Sequence, residues 1–127
     1  MLSDHTPTPT LPTADLERSR AFYEGVLGFT PGEEGGGGVF YPSGSGNLFV
    51  YPSAYAGTNK ATALSFDLPA DAFDEMVANL RAAGVSFDTF EAEGLTWDDG
   101  VAEMEDMRSV WFSDPDGNIL NVGTRTG

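Results

Sequence analysis

Residues 110–122 read Val-Trp-Phe-Ser-Asp-Pro-Asp-Gly-Asn-Ile-Leu-Asn-Val. Two short apolar runs flank Asp, Pro, Gly and Asn, the residues that turns prefer, so this stretch predicts a β-hairpin. Side chains alternate along a strand, and Asn121 should therefore point away from Leu120 and toward whatever the sheet encloses. Trp111 should share the side of Asn121, either as a cavity wall or as core, with Phe112 turned toward the helices.

The composition indicates one globular domain, residues 1–127. A chain of 127 residues that is 40% hydrophobic can bury a core of its own. It contains no cysteine, no apolar run of about 18 residues, and no basic-then-apolar start of the secretory type. We therefore expect a cytoplasmic protein without disulfides, thiolate nucleophiles or a membrane segment.

The charge is strongly acidic. Six basic residues against 20 acidic ones give a formal net charge of −14, which makes nucleic acid and anionic membranes poor partners. The charge can serve solubility, or it can raise the local concentration of a cationic ligand in a cleft with acidic walls. The two interpretations are compatible.

The first half of the chain predicts strands around one helix. Asp15 is a capping residue, an apolar stripe follows it, and Gly28 closes the helix. The four glycines at 35–38 predict a hairpin tip; without a following Lys and Ser or Thr they do not match a phosphate-binding loop. The predicted strands are 6–11 (an edge strand or a loose segment), 29–34, 39–41 and 47–51.

The second half repeats this order. A helix should run from Pro69 or Asp71 to Gly84 with one apolar stripe, and residues 91–107 show no strand pattern. The predicted strands are 61–66, 85–90, 108–113 and 119–122. We therefore divide the chain into module one at about 6–52, a linker at 53–60 and module two at about 61–123. Each half alone is of marginal size, so the two should share one core beneath a mostly antiparallel sheet with both helices on one face.

Two groups of motifs resemble a known family. They are Asp15-Leu16-Glu17-Arg18, Ala21-Phe22-Tyr23 and Leu27-Gly28-Phe29, and, about ninety residues later, Phe112-Ser113-Asp114-Pro115-Asp116-Gly117-Asn118. The chain thereby resembles the vicinal oxygen chelate superfamily, which contains glyoxalase I, extradiol dioxygenases, fosfomycin-resistance enzymes and bleomycin-resistance proteins. The resemblance implies an α+β fold of two βαβββ modules. Their strands would form an open, curved half-barrel with the helices on the outer face, often in a homodimer.

The metal-dependent members of that superfamily bind a divalent ion through His, Gln and Glu side chains. In register with their motif, this chain has Thr8, Phe49, Ala61 and Asn121 at those positions. Such a set lacks the imidazole and carboxylate donors that a catalytic divalent ion needs. His5 lies three residues before the expected position, and a strand slipped by an odd number would turn it outward. We therefore expect no metal and no other cofactor.

The same alternation predicts which residues line the cavity. Each of these residues has an inward position on a predicted strand or in the loop at 91–107. The predicted lining consists of Thr8, Thr10, Phe49, Tyr51, Ala63, Ser65, Trp97, Trp111 and Asn121. This surface is apolar with a few neutral polar groups, as in small-molecule pockets. It suits binding better than acid–base catalysis.

The acidic loop at 91–107 has two interpretations. It could be a lid in which Trp97 closes over a ligand. The carboxylates of Asp98, Asp99 and Glu105 would then attract a cation, or one of them would act as a general base. Alternatively, it is a solvated acidic loop whose Trp packs on the sheet or on a dimer partner.

The function expected from these observations is metal-free binding of a small organic molecule, for which a cation is one candidate, by a homodimer. Bleomycin-resistance proteins, which the chain resembles in size and acidity, act by such sequestration. The alternatives are a lyase or dioxygenase of the same superfamily that acts on a small molecule, and a sensor or partner-binding module without a small ligand.

Overall fold

The computed structural model describes residues 1–125, so the last two residues of the predicted domain lie outside the described part. The strands are β1 (Thr10–Thr13), β2 (Glu34–Gly35), β3 (Gly38–Ser43), β4 (Gly46–Pro52), β5 (Thr62–Asp67), β6 (Thr96–Asp98), β7 (Val101–Met104), β8 (Met107–Ser113) and β9 (Ile119–Arg125). The helices are α1 (Leu16–Arg20), which continues as a π-helix (Ala21–Val26), and α2 (Ala70–Ala82); a short 3₁₀ helix covers Leu2–Asp4.

The strands form two open sheets. Sheet one has the order β1-β4-β3-β2, and sheet two has the order β5-β9-β8-β7-β6. The β1–β4 and β5–β9 pairs are parallel, and the other pairs are antiparallel. The predicted α+β class with open, mostly antiparallel sheets is confirmed.

The helices begin and end where the sequence indicates. The Asp15 side chain accepts a hydrogen bond from the Arg18 N–H over 3.2 Å and so caps α1. Gly28 and Gly84 follow the two helices with φ of +79° and +89°, a conformation that other residues adopt only with strain. Within α2 the predicted apolar stripe is buried; its members are Phe73, Val77 and Leu80.

Each sheet has one face toward a helix and one face away from it. On sheet one, Tyr41 lies at 0% exposure and stacks on Tyr23 of the π-helix, with ring centroids 5.8 Å apart. On sheet two, Arg108 lies over the Phe73 ring of α2 and forms an ion pair with Asp74. We call the opposite side of each sheet its open face. The helix-facing side chains of both halves form one buried cluster.

Three strand predictions are wrong in their bounds. The first strand is Thr10–Thr13 rather than 6–11, although it lies at an edge as predicted. Of residues 29–34, Glu34 alone is in a strand. Residues 85–90 form a single bridge, Asp88 to Trp111, because β7 already occupies the edge of β8 from Met107 to Ser109.

The prediction of no strand in residues 91–107 is also wrong. This stretch contains β6 and β7, which are joined by Asp99 and Gly100 at φ of +49° and +82°. Positive φ at both central residues is the conformation of a type I′ hairpin turn. Module two therefore has one strand more than the predicted βαβββ pattern.

None of the helices in residues 1–125 has the length and apolar character required to cross a membrane.

Candidate functional site

The turn at 114–118 joins the two halves through buried polar contacts. Asp114 accepts a 2.7 Å hydrogen bond from the Tyr23 hydroxyl, 91 residues away. Its other donors are the Asp116 N–H, the Asn118 N–H and Asn118 Nδ2, at 2.8–2.9 Å. Burial, and then the Asp114 charge, raise the pKa of Tyr23 far above its usual value. Every group in this set has a protein partner, so we assign it a structural role.

Asp116 makes the second contact between the halves. Its carboxylate accepts from the Ala14 N–H at 2.9 Å, Arg18 Nη2 at 2.8 Å and Ser19 Oγ at 3.0 Å. Burial works against the charged form, but these donors and Thr13 prevail and hold the pKa of Asp116 below its usual value. An ionised Asp116 thus fastens the start of α1 to the hairpin.

The open face of sheet two has a neutral polar floor. Asn121 Nδ2 donates to Ser109 Oγ at 3.0 Å and to the Val110 carbonyl at 3.1 Å. Beside them, Gly123 has no side chain because a Cβ there would lie 2.6 Å from Ser109 Oγ. Ser65 is exposed on β5 directly opposite Asn121. A groove of about 250 Å³ runs over this floor.

An aromatic cluster adjoins the floor, since Trp111 lies directly opposite Asn121 in the β8–β9 pair. The ring of Phe90 meets the rings of Trp97 and Trp111 edge-on, with centroids 5.3 and 4.9 Å apart. The two Trp rings are 6.2 Å apart. We call Phe90, Trp97 and Trp111 the aromatic cluster. A recess of about 350 Å³ opens beside it, lined by Thr89, Phe90, Glu91 and Trp97.

The open face of sheet one carries a second set of rings. Phe40 and Phe49 stack with centroids 4.3 Å apart, and Tyr51 lies parallel to Phe49 at 5.7 Å. Thr10 begins β1 opposite Phe49 and is exposed, whereas Thr8 is exposed before the strand begins.

The remaining predicted cavity residue is Ala63. It lies at a bulge in the β5–β9 register and packs against the core cluster.

The acidic residues from Glu93 to Asp106 belong to strands and turns rather than to a long loop. Trp97 is in β6 and half-buried, with two ring contacts, and Asp98 ends the same strand. Asp99 pairs with Arg81 of α2 through Oδ2 at 3.1 Å and through its carbonyl. Glu105 lies in the β7–β8 turn with φ of +49°. Asp99 is thereby committed to a structural pair on α2.

A family model described as the Glyoxalase/Bleomycin resistance protein/Dioxygenase superfamily matches residues 4–122. The chain belongs to this superfamily.

Solved structures with the same fold have low sequence identity to the chain. A glyoxalase/bleomycin resistance protein/dioxygenase from Alicyclobacillus acidocaldarius has 15% identity and a TM-score of 0.74, covering 98% of this chain and 93% of that one. A genomically encoded fosfomycin resistance protein from Listeria monocytogenes has 16% identity and a TM-score of 0.69, covering 96% and 93%. A lactoylglutathione lyase from Agrobacterium tumefaciens has 22% identity and a TM-score of 0.62, covering 94% and 92%. A search of curated proteins finds no match. These likenesses show the fold alone.

The side chains at the superfamily's metal positions do not fit a divalent ion. Thr8 and Ala61 are exposed residues outside the strands, and Phe49 is a ring within an aromatic stack. Asn121 offers a neutral amide oxygen where the metal-dependent members have a carboxylate. Among residues 1–125 no three His, Cys, Asp or Glu side chains are grouped as a metal site would require. The side chains at these positions therefore do not provide the ligands of a catalytic divalent ion.

Four residues of the candidate site were not among the predicted cavity residues. They are Phe90 of the aromatic cluster and three residues that line the groove, Ser109, Asp67 and Arg125. The period-2 alternation that found Asn121 also places Ser109 and Arg125 on the open face, because they belong to the same strand pair. Phe90 ends the predicted strand 85–90, but this stretch forms only a bridge at Asp88, so strand alternation does not fix the position of the Phe90 ring.

Proposed function

We propose that this superfamily member binds a small organic molecule on the open face of sheet two, without a metal. The observation that carries the proposal is the aromatic cluster directly beside the neutral polar floor of Asn121 and Ser109. Apolar walls with a few oriented polar groups are the usual composition of a small-molecule pocket.

A cationic group on the ligand is favoured by two features. The formal net charge of −14 raises the concentration of cations near the surface. Locally, the recess beside the aromatic cluster is lined by Phe90, Trp97 and the acidic residue Glu91. Aromatic faces attract an ammonium group through their quadrupole, and a nearby carboxylate adds to the attraction.

The proposal extends to a homodimer. The open face of sheet one, with Phe40, Phe49, Tyr51 and Thr10, would supply further wall to the cavity of a partner subunit. Apolar rings on a face that no helix covers are typical of ligand or protein contacts. Sedimentation equilibrium tests this part: a single monomeric species across the micromolar range contradicts it.

Tryptophan fluorescence provides the binding test because both tryptophans of the chain lie in the aromatic cluster. We expect phenyltrimethylammonium to change the emission saturably, and Phe90→Ala to weaken its binding by about 2- to 30-fold. Tyr55→Ala is the matched control, since Tyr55 is 79% exposed and lies in the linker. An equal effect of the two substitutions contradicts the proposed site. A lack of response to any cationic or neutral aromatic favours a sensor or partner-binding module instead.

Elemental analysis of the purified protein tests the metal-free part. A stoichiometric divalent ion that survives dialysis would overturn it in favour of a lyase or dioxygenase of the superfamily. A triple variant, Thr8→His, Ala61→His and Asn121→Glu, should gain affinity for a divalent ion, because it restores imidazole and carboxylate donors at the superfamily's positions. Asn121→Glu alone should not.

A further inference from the structure

The groove on the open face of sheet two contains two side chains of opposite charge that form no ion pair within residues 1–125. Of the arginines, Arg18, Arg20, Arg81 and Arg108 each form a salt bridge with a carboxylate. Arg125 forms none with any carboxylate of residues 1–125, and it lines the groove. In so acidic a chain, an arginine without a carboxylate partner among the described residues is unexpected.

Asp67 lines the same groove and, within residues 1–125, has no hydrogen-bond or ion-pair partner. It lies opposite Gly123 in the β5–β9 pair, and Arg125 is two residues further along β9. From strand spacing and rise, the two Cα atoms are separated by roughly 8 Å. The two side chains share the open face but do not form a salt bridge with each other.

We propose that this pair binds the head group of a free amino acid or a close analogue. The ammonium would bind the Asp67 carboxylate, and the carboxylate would bind the Arg125 guanidinium, which can donate two parallel hydrogen bonds. The inference rests on the proposed function, binding on the open face of sheet two, and it places the ammonium at Asp67 rather than in the recess beside Glu91. A ligand with only one of these charges would leave the other side chain of the groove unmatched.

The floor of the groove indicates where the rest of the ligand lies. Ser65 and Ser109 line the groove beside the head group, and the Ser109 hydroxyl fills the space above Gly123. One strand step away, about 7 Å along β9, Asn121 faces Trp111. This step is longer than the distance from the α-carbon of phenylalanine to its ring centre, so the ring extends from the head group toward Asn121 and Trp111. The side chain of the amino acid is therefore apolar or aromatic and lies against Trp111.

The test compares three probes that share one ring. L-phenylalanine carries both charges, phenethylamine lacks the carboxylate, and 3-phenylpropionate lacks the ammonium. By isothermal titration calorimetry we expect L-phenylalanine to bind about tenfold more tightly than either, as loss of one charge-assisted contact implies.

Two variants identify the groups. Arg125→Gln should remove the advantage of L-phenylalanine over phenethylamine, and Asp67→Asn its advantage over 3-phenylpropionate. Lys60→Gln is the control: it removes a positive charge from the linker, outside the groove, and should change no ratio. Because all three side chains are exposed, the unfolding midpoints should match that of the wild type.

The outcomes separate the inference from the proposed function. If phenethylamine binds as tightly as L-phenylalanine and Arg125→Gln changes neither, the head-group assignment is wrong while binding on this face stands. If none of the probes binds and no aromatic compound changes the tryptophan emission, both proposals are wrong.

Discussion

The Tyr23→Phe substitution tests the contact that joins the two halves of the chain. The hydroxyl donates to Asp114 at 2.7 Å, and the two residues are 0% and 6% exposed. Without it the carboxylate keeps its bonds to the Asp116 N–H and to both Asn118 donors. Water cannot replace the lost donor at a buried site. We therefore expect the free energy of unfolding to fall by about 1.5–3 kcal/mol, the range for hydrogen bonds to charged groups.

Tyr41→Phe is the matched control because it removes the same atom from a ring that is equally buried. Its hydroxyl donates to Glu24 at 2.8 Å, and Glu24 also binds Arg20 at 2.7 Å. The Glu24 side chain is 28% exposed, so water can take the place of the hydroxyl. The expected loss is about 0.5–1.5 kcal/mol.

Urea unfolding at pH 7, followed by tryptophan emission, measures both variants. The m-value should stay that of the wild type, since neither change alters the surface that unfolding exposes. A loss for Tyr23→Phe that is no larger than the loss for Tyr41→Phe would refute the assignment of Asp114 as the junction between the halves.

Three further predictions use the same unfolding assay. The fold lowers the pKa of Asp116, so the ionised carboxylate contributes to the free energy of unfolding at neutral pH, and this contribution is lost as the pH falls below about 4. Asp116→Asn should therefore lose less stability than the wild type between pH 5 and pH 2. Burial raises the pKa of Tyr23, so the wild type should lose stability above about pH 10, and Tyr23→Phe should lose less. Gly38→Ala should lower the free energy of unfolding by about 1–3 kcal/mol because its Cβ would lie 2.4 Å from the Val50 carbonyl oxygen. Gly25→Ala in the π-helix would place a Cβ with nothing within 4 Å and should raise the free energy of unfolding by about 0.5–1 kcal/mol. Equal effects of the two substitutions would contradict these contacts.

Local signals in the sequence were sufficient for the helices and for the last hairpin. Asp15 and Gly28 have the conformations that capping and helix closure require, and these depend on the residue itself. The pairing of Trp111 with Asn121 followed from the two-residue alternation and the length of the turn at 114–118.

The sequence prediction for residues 91–107 relied on their acidic composition and did not use the turn dipeptide between β6 and β7. Asp99-Gly100 is a favoured type I′ dipeptide, and it should have indicated the β6–β7 hairpin. Residues 85–90 show the opposite error. Their β propensity is real, but β7 already occupies part of this edge of β8, at Met107–Ser109, and 85–90 forms only the bridge from Asp88 to Trp111.

The polar part of the candidate site depends on contacts between distant residues. Asn121 could be placed on the open face, but its bond to Ser109 depends on the register of two strands. That Arg125 and Asp67 form no ion pair within residues 1–125 follows only once the partners of the other arginines are known. A sequence gives the charge of each residue and not which charges neutralise one another.

The hydrogen bond between Tyr23 and Asp114 also has a consequence for biosynthesis. Because the chain is made from its amino terminus, Tyr23 is complete long before its partner 91 residues later leaves the ribosome. Until then the amino-terminal half keeps apolar surface that the second half must cover, so it should remain a substrate for chaperones. Contacts of such long sequence separation also slow folding. We expect the two halves to fold in a single cooperative step that begins only after residues 114–118 have been synthesised.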